Sequence, residues 1–312
     1  MSTTVTEADR AERGSLIASG VGNIVLACVG LTIALVSHSQ AILLDGLFNF
    51  IYFGTALFTL RVAKLVRRGD DARFPYGYGF FEPLVNGLKG LLILGVSAMA
   101  LVGAIEALIA GGREIQPGLA VIYGVFATTA GVVLTIVTKR GAKRSGSPLV
   151  KADADGWIVN AAVSVCVLLA FGTIFLLKGT SLDWLVPFVD PIVVLTVVLI
   201  SIGVPIRMAW TALMGLLNRA PSEELVTRVT AVVTEGLADL PVTEVFVRVI
   251  QPGRTRMVGA HAVLPEDFGV ERLKSLDEVR AKILKRLQDE HLATVLDIFF
   301  TTDAEWGKPA GT

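Results

Sequence analysis

Six stretches of near-continuous apolar sequence dominate this chain and leave few folds open to it. They run roughly over 15–37, 41–63, 84–110, 118–138, 155–177 and 188–214. A hydrocarbon layer about 30 Å thick is crossed by about 20 apolar residues in an α-helix, and backbone inside lipid must satisfy its own hydrogen bonds. The pattern predicts an α-helical membrane protein with six transmembrane helices. Composition agrees: charged residues make up only 18% of the 312, against about a quarter in a soluble domain. With 28 Lys and Arg against 28 Asp and Glu, there is no basic excess to neutralise phosphates, so no nucleic-acid partner is expected.

The placement of charge predicts orientation. Lys64, Arg67, Arg68 and Arg73 follow the second segment, and Lys139, Arg140, Lys143, Arg144 and Lys151 lie between the fourth and fifth. The first loop is only Ser37-His38-Ser39-Gln40, the third carries Arg113 beside Glu114, and the fifth carries Lys178 with Asp183 and Asp190. Positive loops stay cytoplasmic. The expectation is a multi-pass protein of the plasma (bacterial inner) membrane with cytoplasmic N- and C-termini. Glu7, Asp9, Arg10, Glu12 and Arg13 precede an apolar run longer than an h-region, which argues against a secretory signal peptide. Residues 1–14 then form a short cytosolic segment. Cys28 and Cys166 sit within apolar stretches and offer neither a disulfide framework nor a thiolate metal site.

After Asn218-Arg219-Ala220-Pro221 the pattern becomes periodic. Ser222 with Glu223 and Glu224 reads as a helix start, with the helix running to about 239. Val245, Val247 and Val249 alternate as a strand that Pro252-Gly253 ends, and a second strand follows at about 255–264. Leu276, Val279, Ile283, Leu284 and Leu287 recur at helical spacing, and Val295–Phe300 reads as a last strand. The order α-β-β-α-β predicts a small helix-on-sheet layer over 218–312, behind a membrane domain over 15–217. A tail this short buries little core, so support from a partner copy is expected.

Polar residues inside the spans are functional candidates by default. Asp45, Asn49 and Tyr52 share one face of the second segment. The fifth opens with Asp153, Asp155 and Asn160, of which Asp153 and Asn160 share a face with Gly156. Lys89 lies inside the third segment with Asn86 beneath it. Each has a plainer reading. The Asn and Tyr side chains hydrogen-bond between helices, Lys89 snorkels to the interface, and Asp153 and Asp155 balance a helix dipole. Asp45 has no local counter-ion and is the strongest candidate. HExxH, GxSxG and a carboxylate dyad at catalytic spacing are all absent from the sequence, so no enzyme is expected.

These residues resemble the cation diffusion facilitator family of metal/proton antiporters. The resemblance is carried by Ala41-Ile-Leu-Leu-Asp45-Gly, by Asp71-Ala-Arg-Phe-Pro75-Tyr-Gly-Tyr-Gly-Phe-Phe-Glu82-Pro, by Ala152-Asp153-Ala, by Val189-Asp190-Pro191 and by Leu217-Asn218-Arg219-Ala220-Pro221. It covers about 14–303 and implies a ferredoxin-like cytosolic tail, a homodimer and protons as counter-ion. It also implies a metal site between segments two and five, with ligands three and seven residues after each opening Asp. Those positions hold Phe48, Tyr52, Gly156 and Asn160, so this chain is an atypical member without the usual zinc ligands. Phe74 and Tyr78 replace the family's second-site histidines although Asp71 persists. Phe80 and Asn218 replace both halves of its charge interlock. His261 matches a zinc-binding histidine, but Phe299 and Phe300 stand near where another belongs, so His261 reads as structural. His291 and His38 read as solvated.

What survives is oxygen chemistry. Asp45, Asp153 and Asn160 are the candidate metal ligands, with Asn49 and Tyr52 beside them, and hard donors favour Mn²⁺, Mg²⁺ or a monovalent ion over zinc. No resident cofactor is expected, only a transported cation, with Mn, Mg, Fe and Zn all open. Asp45 and Asp153 lie a turn to either side of the usual site and are expected to flank it. Lys89 is expected to pair with one Asp, supplying internally the positive charge that a metal supplies elsewhere. The leading expectation is a secondary cation/proton antiporter working by alternating access. The alternatives are a transport-inactive membrane scaffold or sensor, and a transporter of an organic cation held against Phe48 and Tyr52.

Overall fold

The computed structural model describes residues 7–66, 70–145, 148–253, 255–269 and 272–308. Arg67 and Arg68 lie outside the described residues, as do the side chains of Asp9, Lys64, Lys151 and Asp155. Seven helices carry the apolar sequence: α1 (Glu7–Ser37), α2 (Gln40–Val66), α3 (Phe81–Ile109), α4 (Pro117–Ser145), α5 (Pro148–Leu177), α6 (Val189–Ser201) and α7 (Gly203–Leu216). They supply six stretches long and apolar enough to cross a membrane, the last formed by α6 and α7 together. The sixth segment is thus interrupted where an unbroken helix was expected. Pro205 has no N–H to give the Ser201 carbonyl, and the helix breaks at Ile202. Pro117 and Pro148 open α4 and α5, where a missing N–H is harmless.

The chain divides into two compact units, one of Met1–Leu60 with Leu88–Ala209, the other of Arg61–Gly87 with Trp210–Thr312. In the first unit α4 lies against α1 and α5. Lipid provides no hydrophobic drive for helices to associate, so close approach at small residues does the work. A Cβ on Gly124 would stand 3.1 Å from Leu168 Cα, and one on Gly131 3.2 Å from Ala161 Cα.

A polar knot ties α2 to the rest of this unit. Asp190 of α6 is fully buried, and its carboxylate accepts from Ser39 Oγ (2.6 Å) and from the N–H groups of Gln40 (3.0 Å) and Ala41 (3.2 Å). It therefore caps the N-terminus of α2 from another helix, where a negative charge is favoured. Arg113 lies 3.6 Å from the same carboxylate and donates to Gln40 Oε1 (2.7 Å). The sequence reading quoted Asp190 without giving it a role.

In the second unit the tail follows the expected order: α8 (Glu223–Gly236), β1 (Glu244–Ile250), β2 (Arg256–Val263), α9 (Leu273–Glu290) and β3 (Thr294–Thr301). The sheet order is β1-β2-β3, with β1–β2 antiparallel and β2–β3 parallel. Val229 and Val233 of α8 and Ile283 and Leu287 of α9 are buried with Val258, Ala260 and Ala262 of β2. Ser222 precedes α8 but makes no side-chain capping bond. The α8 helix ends at Gly236 rather than near 239, where Gly236 lies against Ile283.

His261 stacks on Phe299, with ring centroids 5.0 Å apart. His291 is half-buried rather than solvated, its backbone held to Leu287 and Thr294, whereas His38 is exposed in a left-handed turn. Burial holds both tail imidazoles below the ordinary value of 6.5, with Arg248 beside His261 and Arg256 beside His291 adding to it.

Two outcomes follow. Asp190→Ala leaves the start of α2 uncapped and should lower the stability of the full chain by about 3 kcal/mol, with Asp190→Asn milder; unchanged thermal melting in detergent would contradict the capping role. Unfolding lets both tail histidines bind protons more readily, so the tail is fully stable above about pH 6.5 and weakens as pH falls through that value. Melting of the full chain from pH 7.5 to 5.5 should show the loss, and the double variant His261→Gln, His291→Gln should flatten it.

Candidate cation site

Residues of α2, α3, α4, α5 and the α6–α7 pair enclose a cavity of about 360 Å³ within the first unit. The α2 helix turns Ala41, Asp45, Phe48 and Tyr52 toward it, and α5 turns Asp153, Gly156, Trp157 and Asn160. Both sets follow the three-and-four spacing that keeps residues on one helical face. The break between α6 and α7 adds Ser201, Val204 and Pro205, and α3 adds Lys89 and Ile93. All four positions where the family resemblance expects ligands therefore meet at one cavity, but with side chains that are mostly not ligands.

Both carboxylates line the cavity. Tyr123 of α4, itself buried, donates a short hydrogen bond to Asp45 Oδ2. Around that bond α1, α2 and α4 approach closely: a Cβ on Gly30 would lie 2.8 Å from Tyr123 Oη and 3.2 Å from Gly46 Cα. Asp153 is held on one side only. Ser19 Oγ donates to its Oδ1 (3.1 Å) and is itself the acceptor for Trp157 Nε1 (2.8 Å). Asp153 Oδ2 is buried and has no hydrogen-bond partner among the described residues.

Lys89 reaches into the cavity instead of leaving it. Its ammonium sits over the Tyr52 ring, 4.3 Å from the centroid, within the range of a cation–π contact. Asp45 and Asp153 line the same cavity. The aromatic face of Tyr52 is the direct contact of Lys89.

Asn49 departs from expectation. It is fully buried but is not among the cavity-lining residues. Its Nδ2 donates to the Asp45 carbonyl one turn back (2.8 Å), and its Oδ1 has no partner among the described residues. Asn86 is exposed and does not line the cavity either. Tyr123, Ser19 and Trp157 were missed by the sequence reading. Trp157 alone had a signal, standing one turn beyond Asp153 on the same face.

Among the described residues no group of three or more His, Cys, Asp or Glu side chains stands together as a metal site. In the loop before α3, Asp71 is engaged by protein groups. Asp71 Oδ1 accepts from the N–H groups of Arg73 (2.8 Å) and Phe74 (2.9 Å), and its Oδ2 from Tyr78 Oη (2.6 Å). The Phe74, Tyr78 and Phe81 rings cluster at 4.6 to 5.6 Å. Asn218 stands in the left-handed region at φ 57° just beyond α7, a conformation that Asn tolerates better than most residues.

Comparison with known proteins agrees with this architecture. Residues 16–217 match the family model of the cation efflux transmembrane domain. An uncharacterized transporter of Synechocystis sp. is 24% identical over 87% of this chain and 86% of its own. The cation-efflux pump FieF of Shigella boydii is 24% identical over 76% of each chain. The magnetosome protein MamM of Paramagnetospirillum magneticum is 24% identical over 66% of this chain and 63% of its own. With six membrane-spanning stretches, a three-stranded helix-on-sheet tail and a match over the whole membrane domain, the chain belongs to the cation diffusion facilitator, or cation efflux, family.

Proposed function

We propose that this protein is a secondary active exporter that moves a cation out of the cytoplasm in exchange for protons, with the α2–α5 cavity as its cargo site. One observation carries the reading: two carboxylates and one ammonium share a cavity in the lipid-spanning part of the chain, and one carboxylate oxygen there lacks any partner among the described residues. Charges in such a place are costly and persist where they handle ions. The kinship to a protein named a cation-efflux pump supports the direction of transport.

Each side chain has a distinct part. Asp153 receives the cargo or a proton at Oδ2. Asp45, held by Tyr123, keeps the outer side of the site negative. Asn160 adds a neutral oxygen donor, and Lys89 sets the site's charge. Rocking of α2 and α5 around the cavity gives alternating access, both termini lie in the cytoplasm, and a second copy of the chain joins through the tail.

Proteoliposomes carrying the full chain test this directly. Influx of Mn²⁺, Mg²⁺, Zn²⁺, Fe²⁺, Na⁺, K⁺ and small organic cations is followed together with lumenal pH. At least one cation should move against protons, and Asp153→Asn should reduce that flux to background while the protein remains folded. Flux unchanged by Asp153→Asn contradicts the assignment of the site. Silence toward every cation leaves the transport-inactive scaffold, which the absence of a metal-ligand cluster among the described residues favours.

A further inference from the structure

We propose that the cargo of this cavity is a monovalent organic ammonium, a single positive head on a small apolar body. The proposal rests on the reading of the cavity as the transport site and names what that site carries.

Charge counting comes first. With Asp45 and Asp153 ionised and Lys89 protonated, the three side chains, which line the same space, carry one net negative charge. One monovalent cation makes the occupied cavity neutral. A divalent ion leaves one positive charge uncompensated in a low-dielectric interior, where unpaired charge is most costly.

The walls point to the apolar body. Ile93, Val163, Val167, Val197, Val204 and Met208 form much of the lining, and a metal ion gains nothing from them. A hydrocarbon group gains the free energy of leaving water. The cavity volume of about 360 Å³ falls in the range of small-molecule sites, about 300–1,000 Å³. Gly156 enlarges it, since a Cβ built there meets no atom within 4 Å. At a position where the resemblance expects a metal ligand, this chain has space.

The polar end already accommodates an ammonium. Lys89 Nζ rests over Tyr52 at 4.3 Å from the ring centroid, and Phe48 supplies a second ring to the lining. Asp153 Oδ2, without a hydrogen-bond partner among the described residues, is the counter-charge for an incoming head group. Cation–π contact together with a desolvated carboxylate is the chemistry that recognises alkylammonium ions.

The test uses the full-length protein, purified in detergent and reconstituted, with radiolabelled benzyltrimethylammonium as probe and benzyl alcohol as uncharged comparator. Benzyltrimethylammonium should bind saturably and be transported, without competition from benzyl alcohol. Asp153→Asn and Tyr52→Leu should each weaken binding at least about tenfold. Gly156→Val, whose side chain projects into open space, should exclude the probe while leaving melting temperature and dimensions unchanged. Lys89→Gln raises the negative charge to two and should shift relative affinity from benzyltrimethylammonium toward Mn²⁺ at least about tenfold. Asp153-dependent flux of Mn²⁺, Na⁺ or K⁺ with no binding of benzyltrimethylammonium overturns the substrate class and leaves the transport site standing. Absence of any flux and of any probe binding overturns both.

Discussion

Burial of charge in lipid is the constraint on which the rest of this structure depends. An ionised side chain in that setting must be paired, hydrogen-bonded or engaged with an ion. Asp190 and Asp153 show the two outcomes. Asp190 is fully buried, capped onto two α2 N–H groups and one hydroxyl, and faced by Arg113. Asp153 has one oxygen on Ser19 and the other on nothing among the described residues. The first carboxylate builds the fold, and the second is the one to which the proposed cargo role is given. Asp45 stands between them, satisfied by Tyr123 yet open to the cavity.

The same contrast explains how a cation efflux family member retains its architecture while changing its site. Phe48, Tyr52, Gly156 and Asn160 bring rings, space and an amide to the cavity, and Lys89 sets its ammonium over the Tyr52 ring. In the loop between α2 and α3, Asp71 is taken up by its own turn and by Tyr78, and Phe74 packs against the Tyr78 ring. The tail histidine His261 rests on Phe299. Asp71 is satisfied by hydrogen bonds within the protein and His261 is packed against a ring. The α2–α5 cavity alone among them keeps charged groups facing open volume.

Most of the fold was legible in the sequence because it follows from periodicity. Continuous apolar runs give the membrane helices, and alternation followed by 3.6-residue spacing gives the strands and helices of the tail. The break at Ile202 was also readable, since Pro205 stands inside the sixth run, but length alone hid it. The site was only partly legible. Helical spacing placed Asp45, Tyr52, Asp153 and Asn160 on shared faces, and all four line the cavity. Asn49 satisfied the same spacing and still turned away, because its amide bonds to its own helix at Asp45. Tyr123 and Ser19 carried no signal. Their partners are 78 and 134 residues away in the chain, and such contacts are set by tertiary packing rather than by local pattern.

In the reading proposed above, a single monovalent organic cation completes the charge of the cavity. Crystals of the full chain grown with (4-bromobenzyl)trimethylammonium, with Mn²⁺ present, test it most directly through anomalous scattering at the bromine and manganese edges. A bromine peak among Ile93, Val167 and Met208, with the cationic head at Asp153 Oδ2 and no manganese peak, is the result this account predicts. A manganese peak bridging Asp45 and Asp153, with bromine absent from the cavity, would contradict it.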